Sequence, residues 1–158
     1  MNGIYYNCVN LTGSPVCGPS VSVMGYAYYN CVNLTGAPAC GPDVRDMDYA
    51  YYNCKNLYGT AYFYSNRIYE ADCCFEGRDT NRRLNIYIPQ NSTTLNTFLI
   101  NDNTPYDTTL GTISYYRPIV GNPITWTNAG TYHYNIAYNI YIYPVANVAA
   151  VYEEIEEQ

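Results

Sequence analysis

The sequence predicts a repeat solenoid of 23-residue units, followed by a small β-rich C-terminal domain. Three observations predict it. The string Tyr5-Tyr6-Asn7-Cys8 recurs as Tyr28-Tyr29-Asn30-Cys31 and as Tyr51-Tyr52-Asn53-Cys54, 23 residues apart each time. Met1, Met24 and Met47 precede these strings, and Leu11, Leu34 and Leu57 follow them, at constant offsets. Beyond the repeats, Tyr, Thr and Ile fill short runs bounded by Gly, Pro and Asn, which is strand composition.

A period in the twenties with one Leu, one Cys and one Ala per unit is the pattern of a leucine-rich repeat. One unit cannot bury its apolar face alone, so neighbours stack into a continuous core. The predicted core is Cys8, Leu11, Met24, Ala27, Cys31, Leu34, Met47, Ala50, Cys54, Leu57, Ile68 and Ala71. Ala27, Cys31 and Leu34 follow helical spacing, so residues 27–34 are expected to be a helical or 3₁₀ side. Residues 36–41 are the extended side, where Pro38 and the glycines limit ladder hydrogen bonds and predict a brief, weak strand. The fourth unit is degenerate. Ile68 and Ala71 repeat the Met47/Ala50 spacing, Phe75 takes the Cys54 slot, a polar loop follows over 76–83, and Leu84–Pro89 closes the unit as a strand.

Residues 1–89 are thus read as the solenoid, 90–145 as the β-rich cap and 146–158 as an acidic tail able to form a helix. Within the cap, Ser92 is placed to start a short helix over 93–100. Strands are expected at 112–116, 124–127 and 132–143. In the tail, Val145, Val148, Tyr152 and Ile155 are spaced 3, 4 and 3 apart, the stripe of a self-associating helix. The competing expectation is a frayed end, because Glu153, Glu154, Glu156 and Glu157 sit where the helix dipole disfavours them.

The run from Ala27 to Thr35 resembles the Ala-Phe-x-x-Cys-x-x-Leu-Thr core of bacterial-surface-antigen-type (BspA-like) leucine-rich repeats. The longer run from Tyr28 to Pro42 is closer still to repeats in structural proteins of gut bacteriophages. Residues 1 to about 60 carry this resemblance, and Leu84–Pro89 and Tyr138–Val145 extend it thinly. The chain departs from the general pattern at Pro38 and Gly41-Pro42, where an Ile-x-Ile-Pro strand is usual, so the parallel sheet is expected to be irregular there. The resemblance implies a non-enzymatic structural or binding protein of a bacteriophage virion: tail, fibre, baseplate or capsid decoration. Its partners would be other virion proteins, copies of itself, or a host surface protein or glycan. The alternative it implies is a bacterial cell-surface adhesin.

Composition narrows the classes. The chain has 22 Tyr against 3 Phe and 1 Trp, and charged residues make up 13%, about half the usual share. Its net charge of −6 and single lysine, Lys55, oppose nucleic-acid binding, which needs clustered basic residues. No run approaches the roughly 20 apolar residues of a membrane-spanning helix. Met1-Asn2-Gly3 lacks the basic start of a secretory leader. Met1 is also in register with Met24, so the first unit is expected to present an open end that a neighbouring chain covers.

No cofactor or metal is expected. Five of the seven cysteines form two ladders, Cys8/Cys31/Cys54 and Cys17/Cys40, and buried Cys packs as a small hydrophobe. One of Cys73 and Cys74 is expected at the surface. His133 is the one histidine, and the carboxylates Asp79, Asp102 and Asp107 lie in turn-rich loops. They give a glycan-acting enzyme only a distant third place. Asn10, Asn33 and Asn91 begin formal glycosylation sequons, two of which are the repeat's own Asn-Leu-Thr. The binding candidates are the columns Tyr5/Tyr6, Tyr28/Tyr29 and Tyr51/Tyr52 with Asn7, Asn30 and Asn53. One Tyr of each pair is expected inside and the other on an exposed stripe suited to protein or sugar. The competing reading makes Tyr a plain substitute for Phe in a thin core.

Overall fold

The structure, a computed structural model, describes residues 1–100, 134–135 and 139–156. The expected strands at 112–116 and 124–127, and Asp102, Asp107 and His133, lie outside them.

Residues 1–78 form four successive units bonded in parallel, each to the equivalent residues of the next. Gly3, Tyr5 and Asn7 N–H donate to the carbonyls of Gly25, Ala27 and Tyr29. Tyr26, Tyr28 and Asn30 donate to Asp48, Ala50 and Tyr52. Tyr49, Tyr51 and Asn53 donate to Asp72, Cys74 and Glu76. The intervening N–H groups close local turns, as in Ala27 to Met24, Tyr29 to Tyr26 and Cys31 to Tyr28.

This alternation is why 27–34 is a run of turns and not the expected helical or 3₁₀ side. A helix aims every N–H along its own axis. Here every second one points at the neighbouring unit. The reversal needs left-handed residues, and they recur four apart: Gly3/Asn7, Tyr26/Asn30, Tyr49/Asn53 and Cys73/Gly77. Asn adopts this region more readily than most side chains and Gly without penalty.

The fourth unit has a different register from the expected one. The offset between the third and fourth units is one residue longer, so Ala71 stands opposite Met47, Cys74 opposite Ala50 and Phe75 opposite Tyr51. The Cys54 slot therefore falls to Arg78, and Ile68 takes the place of Val44. Glu76 and Gly77 belong to the turn and not to a loop. Spacing alone misaligned this unit because Ile68 and Ala71 happen to repeat the Met47/Ala50 interval.

On the opposite side the proline- and glycine-rich segments make isolated bridges, Gly36 to Leu57 and Cys40 to Phe63. Two backbones approach closely here, since a Cβ on Gly41 would lie 2.6 Å from the Gly18 carbonyl oxygen. The first regular strand, β1 (Gly59–Tyr62), appears where the third unit has no proline. It pairs in parallel with β2 (Leu84–Pro89). The helix α1 (Thr93–Ile100) follows, and Ser92 Oγ caps it by accepting from Leu95 N–H at 3.0 Å.

The expected single strand over 132–143 is two strands, β3 (Tyr134–Asn135) and β4 (Ile140–Val145). They run antiparallel, with Asn139 left-handed just before β4. β4 also pairs in parallel with β2, giving the sheet order β1-β2-β4-β3. Last comes α2 (Val148–Glu156).

The core is continuous. Ten of the predicted core residues, from Met24 to Ala71, are buried, while Cys8 and Leu11 are half-buried against them. Leu95, Phe98, Ile140 and Ile142 belong to the same cluster, so the described part of 90–145 packs directly onto the repeats. Arg78 fastens this junction. Its guanidinium donates to the carbonyls of Leu57 (3.2 Å), Asp79 (3.1 Å), Arg82 (2.7 Å) and Asn139 (3.2 Å). Burial pulls its pKa down to about 10, so it stays charged at neutral pH.

Candidate binding surface

The tyrosine pairs divide by face. Tyr28 and Tyr51 are buried, in one stacked column with Tyr5 and Phe75 at centroid spacings of 5.2, 5.3 and 6.0 Å. Their hydroxyls do specific work on the proline-rich side. Tyr28 OH accepts from Val16 N–H (3.1 Å) and donates to Val16 C=O (2.7 Å). Tyr51 OH does the same for Ala39, at 2.9 and 2.7 Å. Each hydroxyl thus satisfies a donor and an acceptor that a strand ladder would otherwise pair. Phe75 stands opposite Tyr51 in the unit whose extended segment lies in the regular sheet, where no hydroxyl is required. Phenol is therefore not a plain substitute for phenyl in this column.

The second tyrosine of each pair faces out. Tyr6, Tyr29 and Tyr52 stack at 4.7 Å with interplanar angles of 10–11°. Beside them runs a column the sequence reading passed over, Tyr26 and Tyr49, stacked at 5.0 Å and 9°. The two columns meet at tilts of 37–50°. Tyr6 and Tyr26 are 47% and 41% exposed, while Tyr29, Tyr49 and Tyr52 are half-buried. The missed column had a signal in the sequence, because Tyr26 and Tyr49 share the 23-residue period. It was hidden by Gly3 and Cys73 at the matching positions of the outer units.

Tyr26 and Tyr49 are left-handed, with φ of +58° and +56°. A side chain in that region costs roughly 1–2 kcal/mol, and Gly3 shows that glycine serves the same turn. Crowding raises the Tyr29 phenol above its ordinary value, through partial desolvation and then Tyr52, Tyr6 and Tyr26. The Cys73 thiol beside Tyr49 pushes that phenol up to about 12. Both hydroxyls are neutral at physiological pH, and each can donate and accept.

The asparagine column lies at the same surface, with Asn7 exposed and Asn30 and Asn53 half-buried, but its side chains bond one another. Asn30 donates its amide to Asn7 Oδ1 and Asn53 donates to Asn30 Oδ1, both at 2.9 Å. Asn33 and Asn56 likewise bond Val9 and Val32 carbonyls. These side chains tie unit to unit.

The cysteines are equally structural. Cys31 and Cys54 thiols donate to the carbonyls of Tyr5 and Tyr28 at 3.1 and 3.0 Å. Burial pushes Cys54 up to about 12 and holds Cys40 and Cys74 above their ordinary values, so none is a ready thiolate. Cys73 and Cys74 are both buried, against the expectation that one is exposed, because each occupies a repeat position.

Sequence reading also missed a carboxylate cluster. Asp46, Asp48 and Glu70 bring one oxygen each within 4.8 Å of the others. Burial, then Asp46 and Asp72, raise Asp48 despite the Asp72 N–H it accepts at 2.7 Å; Asp48 in turn raises Glu70.

The predicted association stripe lies against the chain's own sheet. Val145 ends β4, and Val148 and Val151 bury against Tyr87 and Tyr143, with Ile155 half-buried beside them. Tyr152 meets Tyr62 edge-on at 5.1 Å, and Tyr62 OH donates to Glu156 Oε1 at 2.8 Å. Comparison with protein-family models, with curated proteins and with solved structures finds no match.

Proposed function

We propose that the chain is a non-enzymatic binding and assembly protein whose units stack as a leucine-rich-repeat solenoid. The outward double column of tyrosines is its contact surface. The observation that carries this reading is the placement of five tyrosines, Tyr6, Tyr26, Tyr29, Tyr49 and Tyr52, on one outer face. Two of them stand in a backbone conformation that glycine would adopt more cheaply. Rigid aromatic area of this kind serves protein contact well.

The resemblance of residues 1 to about 60 to gut-phage repeats supports a place in a virion, as a tail, fibre, baseplate or capsid-decorating component. Its partners would then be other virion proteins, further copies of the chain, or a host surface molecule. Mass spectrometry of gradient-purified particles tests this. The chain should be present at a fixed stoichiometry to the major capsid protein, and its absence would refute the virion reading. The BspA-like wording of the same repeats favours a bacterial surface adhesin as second reading, to which cell-surface labelling of the chain would point.

A further inference from the structure

We propose that the outward tyrosine face docks an extended, arginine- and lysine-bearing segment of a partner protein. The inference rests on the reading of that face as the contact surface and adds the chemistry of what binds there.

Two features select this occupant. The first is what the rings leave available. Tyr6, Tyr29 and Tyr52 are stacked at 4.7 Å, and Tyr26 and Tyr49 at 5.0 Å, so ring faces within each column are covered by the next ring. A sugar ring bound by aromatic stacking needs a free face. A partner lying across these columns meets ring edges and a row of phenol hydroxyls, which suit donor-rich, linear groups.

The second is charge. Tyr26 and Tyr49 N–H bond the backbone carbonyls of Asp48 and Asp72, which places acidic residues along one flank of the columns. A Cβ on Gly25, the residue before Tyr26, would lie 3.9 Å from Asp46 Oδ1. At the far end, Asn53 N–H bonds the carbonyl of Glu76, so Glu76 follows Tyr52 in its column. Among the described residues the ion pair is Arg67 with Asp43, and none of Asp46, Asp48, Glu70 or Glu76 has a basic partner. A guanidinium or ammonium set among them relieves their mutual repulsion and donates to carboxylate and phenol oxygens together.

The test uses the full chain and a fluorescein-labelled (Arg-Thr)₅ peptide, with (Gln-Thr)₅ and maltohexaose as the neutral probes. Anisotropy measures affinity at low and moderate salt, and hydroxyl-radical footprinting reports which tyrosines are protected. The arginine peptide should bind, protecting Tyr29 and Tyr52. Asp48→Asn with Glu70→Gln, and separately Tyr29→Phe with Tyr52→Phe, should each weaken it at least tenfold. Removing tail charge through Glu153→Gln, Glu154→Gln and Glu157→Gln should change it less than twofold. Circular dichroism confirms that each variant is folded. The proposal is overturned if the peptide fails to bind, or if the tail variant loses as much affinity as the others. It is also overturned if maltohexaose and not the peptide protects Tyr29 and Tyr52, though the contact surface itself would then survive. The contact-surface reading falls separately, if these tyrosines are as reactive in the native assembly as in the free chain.

Discussion

Asn30 illustrates how one residue type serves two needs. Its φ of +61° is tolerated by Asn, and its amide donates to Asn7 while accepting from Asn53. Alanine would meet the left-handed penalty of roughly 1–2 kcal/mol. It would also lose two side-chain hydrogen bonds worth roughly 0.5–1.5 kcal/mol each. Asn30→Ala should therefore lower stability by about 2–5 kcal/mol in urea unfolding. Asn30→Gly keeps the backbone geometry and should lose appreciably less. Equal losses from both would mean that the left-handed backbone contributes nothing.

Asp48 gives a residue-scale pH effect. Its folded pKa is raised, so between its unfolded and folded values the folded state binds the extra proton. Stability should then fall as pH rises through that window, and recover as pH drops from neutrality toward 4. Asp48→Asn retains an acceptor for the Asp72 N–H and removes the charge. It should raise the melting temperature at pH 7 and have little effect near pH 3.5. A destabilised Asp48→Asn at pH 7 would contradict this assignment.

At the scale of elements, the buried tyrosines and the extended segments are one device. Pro15, Pro38 and Pro42 weaken the strand ladder, and the Tyr28 and Tyr51 hydroxyls supply part of what it lacks. Tyr51→Phe leaves the Ala39 N–H and C=O without that partner and should cost roughly 1–3 kcal/mol. A matched Tyr29→Phe change, on the outer face, should cost little. Thermal unfolding of the two variants side by side checks the contrast.

Much of this scale was legible in the sequence. The 23-residue period located the core, because burial repeats with the unit, and Ser92 announced α1 through its capping side chain. Helical spacing misled over 27–34, since every-second-residue bonding between units is a non-local feature that one unit's pattern does not reveal. The ladder bonds of the Asn column are not legible in one unit, because they exist only when units stack. The register of the fourth unit depended on one extra residue, whose consequence is Arg78 in a cysteine's place. In the tail, the 3-4-3 stripe matches the buried face at Val145, Val148 and the half-buried Ile155, but that face takes in Val151 in place of the exposed Tyr152, and the surface it packs on, Tyr87 and Tyr143, is far away in sequence.

At the scale of the molecule, inside and outside carry different tyrosine chemistry. The inner column is locked by backbone hydrogen bonds, and α2 and Arg78 hold the last strands onto the repeats. The outer columns contact mainly one another and flank carboxylates that have no basic partner among the described residues. The central claim is that this outer face exists to be covered. Hydroxyl-radical footprinting of the chain, free and within purified particles, measures that directly. The account predicts that Tyr6, Tyr26, Tyr29 and Tyr52 are oxidised in the free chain and protected in the assembly, with Tyr28 and Tyr51 protected in both. Outer tyrosines that are equally reactive in both states would contradict it.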